Sequence, residues 1–89
     1  MGETAGRISS KLTVAFSPER LELTDDSARH AGHAGASPGG ESHFNLTIVS
    51  AAFEGLNRVE RQRRINTVLA DELAGPVHAL SIKALAPGE

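Results

Sequence analysis

The stretch Asn57–Pro87, NRVERQRRINTVLADELAGPVHALSIKALAP, decides the fold because it holds a helix, a hard stop and a strand in succession. Asn57 suits an N-cap, its side chain accepting from the free amides of a first helical turn, and Glu60 stands where a capping box wants an acid. Val59, Ile65, Leu69 and Leu73 recur at helical intervals and predict one apolar stripe. Glu60 and Arg64, four apart with the acid first, support the wet face. Gly75-Pro76 ends the helix: Gly accepts a left-handed C′ conformation and Pro cannot continue. Val77–Leu85 then restarts as a strand that opens with a histidine. His78, Leu80 and Ile82 share one face, and Ala79, Ser81 and Lys83 the other.

Upstream, Ala5, Ile8, Leu12 and Ala15 or Phe16 predict an amphipathic first helix closed by Ser17-Pro18. Arg20–Thr24, RLELT, alternates with Leu21 and Leu23 inward and reads as the first strand. Asp25–Ser42, DDSARHAGHAGASPGGES, is a polar loop, with residues 26–42 expected to be flexible; a loop this long in a small domain is usually functional. His43–Ser50, HFNLTIVS, predicts a second strand with Phe44, Leu46 and Ile48 on the core face. Ala51–Leu56 is a short connection. The order is αββαβ in a single domain, 1–89. Strands one and two should pair antiparallel, and the second helix should cross over to set strand three parallel to strand two. The expected fold class is α+β, a two-layer sandwich of two helices on a three-stranded mixed sheet.

Composition narrows the function. The 89 residues carry a net charge of −2, no cysteine, and three aromatic side chains, all Phe. Base stacking on nucleic acid has little to work with, and bulk attraction to phosphate backbones is absent. Disulfides and thiol catalysis are excluded. No apolar run approaches the roughly 20 residues needed to span a bilayer, and the first residues lack the apolar core of a secretory signal, so a cytoplasmic location is expected. No Ser, His and acid constellation or paired carboxylates emerge, and the chain is not expected to be an enzyme.

Two surfaces remain as candidates. The topology maps all four histidines, His30, His33, His43 and His78, to one end of the sheet, where imidazoles could ligate a borderline metal. The bland reading of His78 is a partly buried ring satisfied by a backbone carbonyl, and of His30 and His33 a pair of solvated loop residues. Without cysteine, a site shared with a partner suits the residues better than a closed structural zinc site. At the opposite end, Arg58, Arg61, Arg63 and Arg64 could contact DNA phosphates, helped by the helix dipole. Their bland reading is a solvated face offset by Glu54, Glu60 and Asp71. Gly32–Gly35, GHAG, matches a GxxG motif on paper but joins two strands instead of two helices.

Ser42–Phe44, Ile48–Leu56, Arg61–Ile65 and Val77–Glu89 (SHF, IVSAAFEGL, RQRRI and VHALSIKALAPGE) together resemble the BolA family, and HAGHAGASPGGESHF resembles its histidine-type variable loop. The resemblance implies a fold related to the type II KH domain. It also implies pairing with a monothiol glutaredoxin and a bridging two-iron two-sulfur cluster, to which glutaredoxin and glutathione supply thiolates. On this chain the implied ligands are His78 and a loop residue, His30, with His33 as the competing candidate. No cofactor is then expected on the lone chain, which would be a monomer or a weak homodimer. The alternative that the resemblance implies is a DNA-binding transcriptional regulator acting through the second helix. Many relatives carry a C-terminal helix, for which the two residues after Pro87 leave little room.

Overall fold

The structure, a computed structural model, describes residues 3–25 and 43–89. Helix α1 spans Glu3–Phe16, strand β1 Arg20–Asp25 and strand β2 His43–Val49; helices α2 and α3 span Arg58–Val68 and Ala70–Ala74, and strand β3 Ala79–Leu85. One turn of 3-10 helix, Ala51–Phe53, lies within the connection after β2. The sheet order is β1-β2-β3, with β1 antiparallel and β3 parallel to β2. This is the mixed α+β arrangement expected from the alternation of patterns along the chain.

The helices form one layer over one face of the sheet. Ala5, Ile8 and Leu12 of α1 are fully buried against Leu46 and Ile48 of β2 and Phe53, Ile65 and Leu69. Each buried Leu, Ile or Phe side chain contributes about 1.5–3 kcal/mol, enough for one small core. Phe16, and not Ala15, is the inward residue that closes α1; its ring packs 5.0 Å from that of Phe53. Ser50 seals the same corner. Its buried hydroxyl donates to the Phe16 carbonyl at 2.6 Å and accepts from the Ala52 amide at 3.1 Å. Ser17, at φ 45, turns the chain from α1 toward β1.

The Asn57 cap forms as expected, its Oδ1 accepting from the Glu60 amide at 2.9 Å. Four details differ. The helix is divided at Leu69 into α2 and α3, although the Leu69 and Leu73 amides still donate to Ile65 and Leu69; nothing in the local sequence explains the break. Val59 is 55% exposed, because six residues before Ile65 is about 120° around a helix from it. The stripe that turns inward runs Arg61, Ile65, Leu69, Glu72. Glu60 pairs with Arg63, three residues on, at 3.5 Å, in place of Arg64. Gly75 adopts φ −110, ψ −113, not a left-handed conformation. A Cβ there would meet the Asp71 carbonyl oxygen at 3.2 Å, so close approach to the last helical turn is what favours glycine at this position.

Candidate functional site

The antiparallel and parallel registers together build one rim. Asp25 of β1 faces Phe44, and His43 of β2 faces Ala79 of β3, so the end of β1 and the starts of β2 and β3 lie side by side. His78 immediately precedes β3, and the ring centres of His43 and His78 are 6.3 Å apart, edge to face. The strand therefore begins one residue after the histidine expected to open it. Leu80 and Ile82 are half-buried on the core face, but His78 is exposed, so it is not the partly buried ring of the bland reading. A strand's first inward position lies past the end of the helical cover, where parity no longer implies burial.

The turn before His78 is tightly specified. The Glu72 carbonyl accepts from the Gly75 amide at 3.2 Å and the Val77 amide at 3.0 Å. Val77 is buried and anchors the turn, leaving the next residue, His78, outward. Glu72 itself is 4% exposed, and its carboxylate holds Lys11 of α1 at 2.9 Å and Arg7 at 3.7 Å. Burial pushes the Glu72 carboxyl up. The Lys11 hydrogen bond, a backbone hydrogen bond, and the Lys11 and Arg7 charges outweigh that, and the net shift is downward. Glu72 thus ties α3 to α1 with its side chain and shapes the His78 turn with its backbone. The sequence reading did not single it out. The available signal was its position: three residues after Leu69 and seven after Ile65, it projects onto the buried stripe.

The opposite end of β3 is occupied by Arg61. Its guanidinium donates to the Ala84 carbonyl at 3.0 Å and grips Glu89 with both terminal nitrogens, the second at 2.9 Å. Glu89 also accepts from the Ala86 amide at 3.0 Å, within an Ala86–Glu89 turn that places Gly88 at φ 88. Pro followed by a Gly at positive φ suits a type II turn. The Arg61 hydrogen bond, then the Ala86 amide, hold the Glu89 carboxyl down to about 2. Arg61 is 12% exposed and committed within the fold, whereas Arg58, Arg63 and Arg64 are exposed. A cleft of about 510 Å³ runs between α2 and β3, lined by Arg58, Arg61 and Lys83 among others. Since Ala79 to Leu85 rises about 3.3 Å per residue, the arginine end and the histidine rim are about 20 Å apart. The separation expected for the two surfaces holds for His43 and His78.

His30 and His33, and the segment 26–42 as a whole, lie outside the described residues. Among the described residues no group of three or more His, Asp or Glu side chains could hold a metal ion. The donors that are described, two imidazoles on an open rim, fit a group completed from elsewhere better than a self-contained centre. No helix among the described residues is long and apolar enough to cross a membrane.

An α+β domain with a mixed three-stranded sheet and imidazoles on one rim is the class of protein defined here. Residues 12–89 match the family model described as BolA-like protein. The chain belongs to the BolA-like family. BolA-like protein 1 of Pongo abelii is 47% identical over 89 residues, which span 100% of this chain and 62% of that protein. SufE-like protein 1, chloroplastic/mitochondrial, of Arabidopsis thaliana is 47% identical over 93 residues, covering 100% of this chain and 25% of its own length. The solved BolA domain of SufE1 from Arabidopsis thaliana superposes with a TM-score of 0.86 at 47% identity, covering 98% of this chain and 95% of that domain. With one relative named for chloroplasts and mitochondria, the family does not point to a single compartment.

Proposed function

We propose that this chain is a non-enzymatic adaptor that pairs with a monothiol glutaredoxin and co-ligates a bridging two-iron two-sulfur cluster, serving iron–sulfur assembly, transfer or iron sensing. The observation that carries the reading is the exposed His78 at a rim where Asp25 and His43, the residues flanking segment 26–42, also lie. An imidazole presented by a hydrogen-bonded turn, on the rim that holds the residues flanking the sequence with His30 and His33, suits a ligand set completed by a partner's thiolates. Such a cluster would have imidazole in place of thiolate on one iron, which removes negative charge and raises the reduction potential. The role of the chain's own residues is to hold one imidazole outward and to supply the second, His30 or His33, from the segment. The cytoplasm is the proposed compartment.

The alternative is a DNA-binding regulator using Arg58, Arg61, Arg63 and Arg64. Arg61 is committed to Glu89 and Ala84 and Arg63 pairs with Glu60, which leaves Arg58 and Arg64 as the more exposed cations of the four, and the net charge of −2 opposes this reading. A cluster-loaded monothiol glutaredoxin, titrated with this protein and followed by visible absorption and circular dichroism, separates the two. The expected result is a changed spectrum, lost in His78→Ala and in either His30→Ala or His33→Ala. An unchanged spectrum with the unmutated chain sinks the adaptor reading. DNA binding that weakens with Arg58→Ala, Arg63→Ala or Arg64→Ala and falls with salt would then take its place.

A further inference from the structure

We propose that the cleft between α2 and β3 is a peptide-binding site. An extended acidic segment of a partner protein seats a carboxylate on Arg61, in the place that Glu89 holds here, and lays its backbone along the outer edge of β3. The charge of the cleft is one support. Its volume of about 510 Å³ is bordered by three cations, Arg58, Arg61 and Lys83, over a floor of Leu56, Ile82 and Ala84. The carboxylate that reaches Arg61 is that of Glu89, whose side chain is 45% exposed and so open to exchange. Glu89 engages only the terminal nitrogens of the guanidinium, and the buried Nε has no hydrogen-bond partner. A guanidinium presents five donors in a fixed fork, and a buried donor without a partner is costly. A carboxylate that displaces Glu89 and also engages Nε relieves that cost.

The strand edge is the other support. β3 is an outer strand of the sheet, paired with β2 on one side. The Leu85 carbonyl turns to the β2 side, where it accepts from the Ser50 amide at 2.9 Å; the Ala84 carbonyl turns to the other, where Arg61 donates to it at 3.0 Å. By the alternation of a strand, the N–H and C=O of Ile82 point outward with those of Ala84. Such an edge pairs with an added strand through main-chain hydrogen bonds, and alternate side chains of that strand carry the specificity. Here they meet cations and aliphatic carbons, so acidic residues alternating with aliphatic ones fit. Nucleic acid offers phosphates to the same cations but no backbone to the edge, and none of the residues lining the cleft is aromatic and able to stack a base. Glu89 is then an internal competitor for the site. The cleft stands about 20 Å from the histidine rim, and the proposal does not rest on the cluster reading.

The test is fluorescence anisotropy of a dye-labelled, amidated hexapeptide of alternating glutamate and valine, titrated with the full chain. The same hexapeptide with glutamine in place of glutamate is the neutral control, and a short unlabelled DNA duplex is the competitor. Unmutated chain, Glu89→Gln, Arg61→Gln and Lys83→Gln are compared, with far-UV circular dichroism confirming that each is folded. The expected result is 1:1 binding of the acidic peptide, tightened about two- to fivefold in Glu89→Gln, where the internal carboxylate is gone. Binding weakens at least about tenfold in Arg61→Gln and about two- to fivefold in Lys83→Gln. The amide resonances of Ile82 and Ala84 should shift as the peptide is added. No binding by either the unmutated chain or Glu89→Gln overturns the proposal, as does equal affinity for the glutamine peptide. Displacement of the peptide by the duplex at comparable concentration overturns it too, and makes the cleft a phosphate site. Should Arg61→Gln fail to fold, unchanged affinity in both Glu89→Gln and Lys83→Gln is the refuting result. No glutaredoxin enters the experiment, so this proposal and the adaptor reading fail separately.

Discussion

Replacing Glu72 by Gln tests how the fold holds the histidine rim. The substitution keeps side-chain volume but removes the charge that Lys11 and Arg7 hold at 2.9 and 3.7 Å. A hydrogen bond to a charged group contributes about 1.5–3 kcal/mol. Removing one partner of a fully buried ion pair costs about 3–5 kcal/mol because the other charge is stranded. Here the stranded cations are not buried: the Lys11 and Arg7 side chains are 35% and 47% exposed and remain hydrated. The larger figure is therefore not reached, and a loss of about 2 kcal/mol is expected. For a domain of this size that lowers Tm by about 8–16 °C. The chain has no Trp or Tyr, so unfolding is followed by far-UV circular dichroism.

The pH dependence supplies a second, independent check. The Glu72 carboxyl is lowered on folding, so its stabilisation is fully present above the ordinary value of 4.5 and is lost as pH falls through the lowered folded value. The gap in stability between the unmutated chain and Glu72→Gln should be constant near neutrality and close on acidification. The imidazole resonances of His78 should shift in the variant at neutral pH, because weakening the side-chain tie between α3 and α1 disturbs the helix end from which the His78 turn departs. A Tm within about 2 °C of the unmutated protein, or a gap that persists undiminished in acid, refutes the reasoning.

Ser50→Ala removes the hydroxyl that links Phe16 to Ala52 and should cost about 1–2 kcal/mol in urea unfolding. Phe53→Ala empties the centre of the core, where the ring is 0% exposed. The expected loss is about 3–5 kcal/mol, visible as partial or complete loss of the cooperative thermal transition. Carboxyl titration by NMR should place Glu89 at about 2, and Arg61→Gln should raise it toward the ordinary carboxylate range, with the Ala86 amide still holding it lower. The stabilisation from that pair is then present above 4.5 and lost only as pH falls toward about 2.

The sequence by itself determined the order of elements, their pairing and the inward residues of the strands and first helix. Leu21, Leu23, Phe44, Leu46, Ile48, Leu80 and Ile82 alternate, and Ala5, Ile8, Leu12 and Phe16 recur at helical spacing. These are short-range patterns that report which face meets the core. Asn57 was legible as a cap for the same reason, since its bond to the Glu60 amide closes within four residues. The end of the sheet at which His43 and His78 lie also followed from topology alone. Only the tertiary structure decided what happens to charges on a buried stripe. Arg61 and Glu72 project inward because partners 28 and 61 residues away, Glu89 and Lys11, make their burial tolerable. No local pattern encodes such a pairing. The same holds for the contact of His43 with His78, since two residues 35 positions apart in the chain become neighbours only through the parallel register of β2 and β3. A histidine's exposure depends on where the helical cover stops, and that boundary is a property of the packed chain.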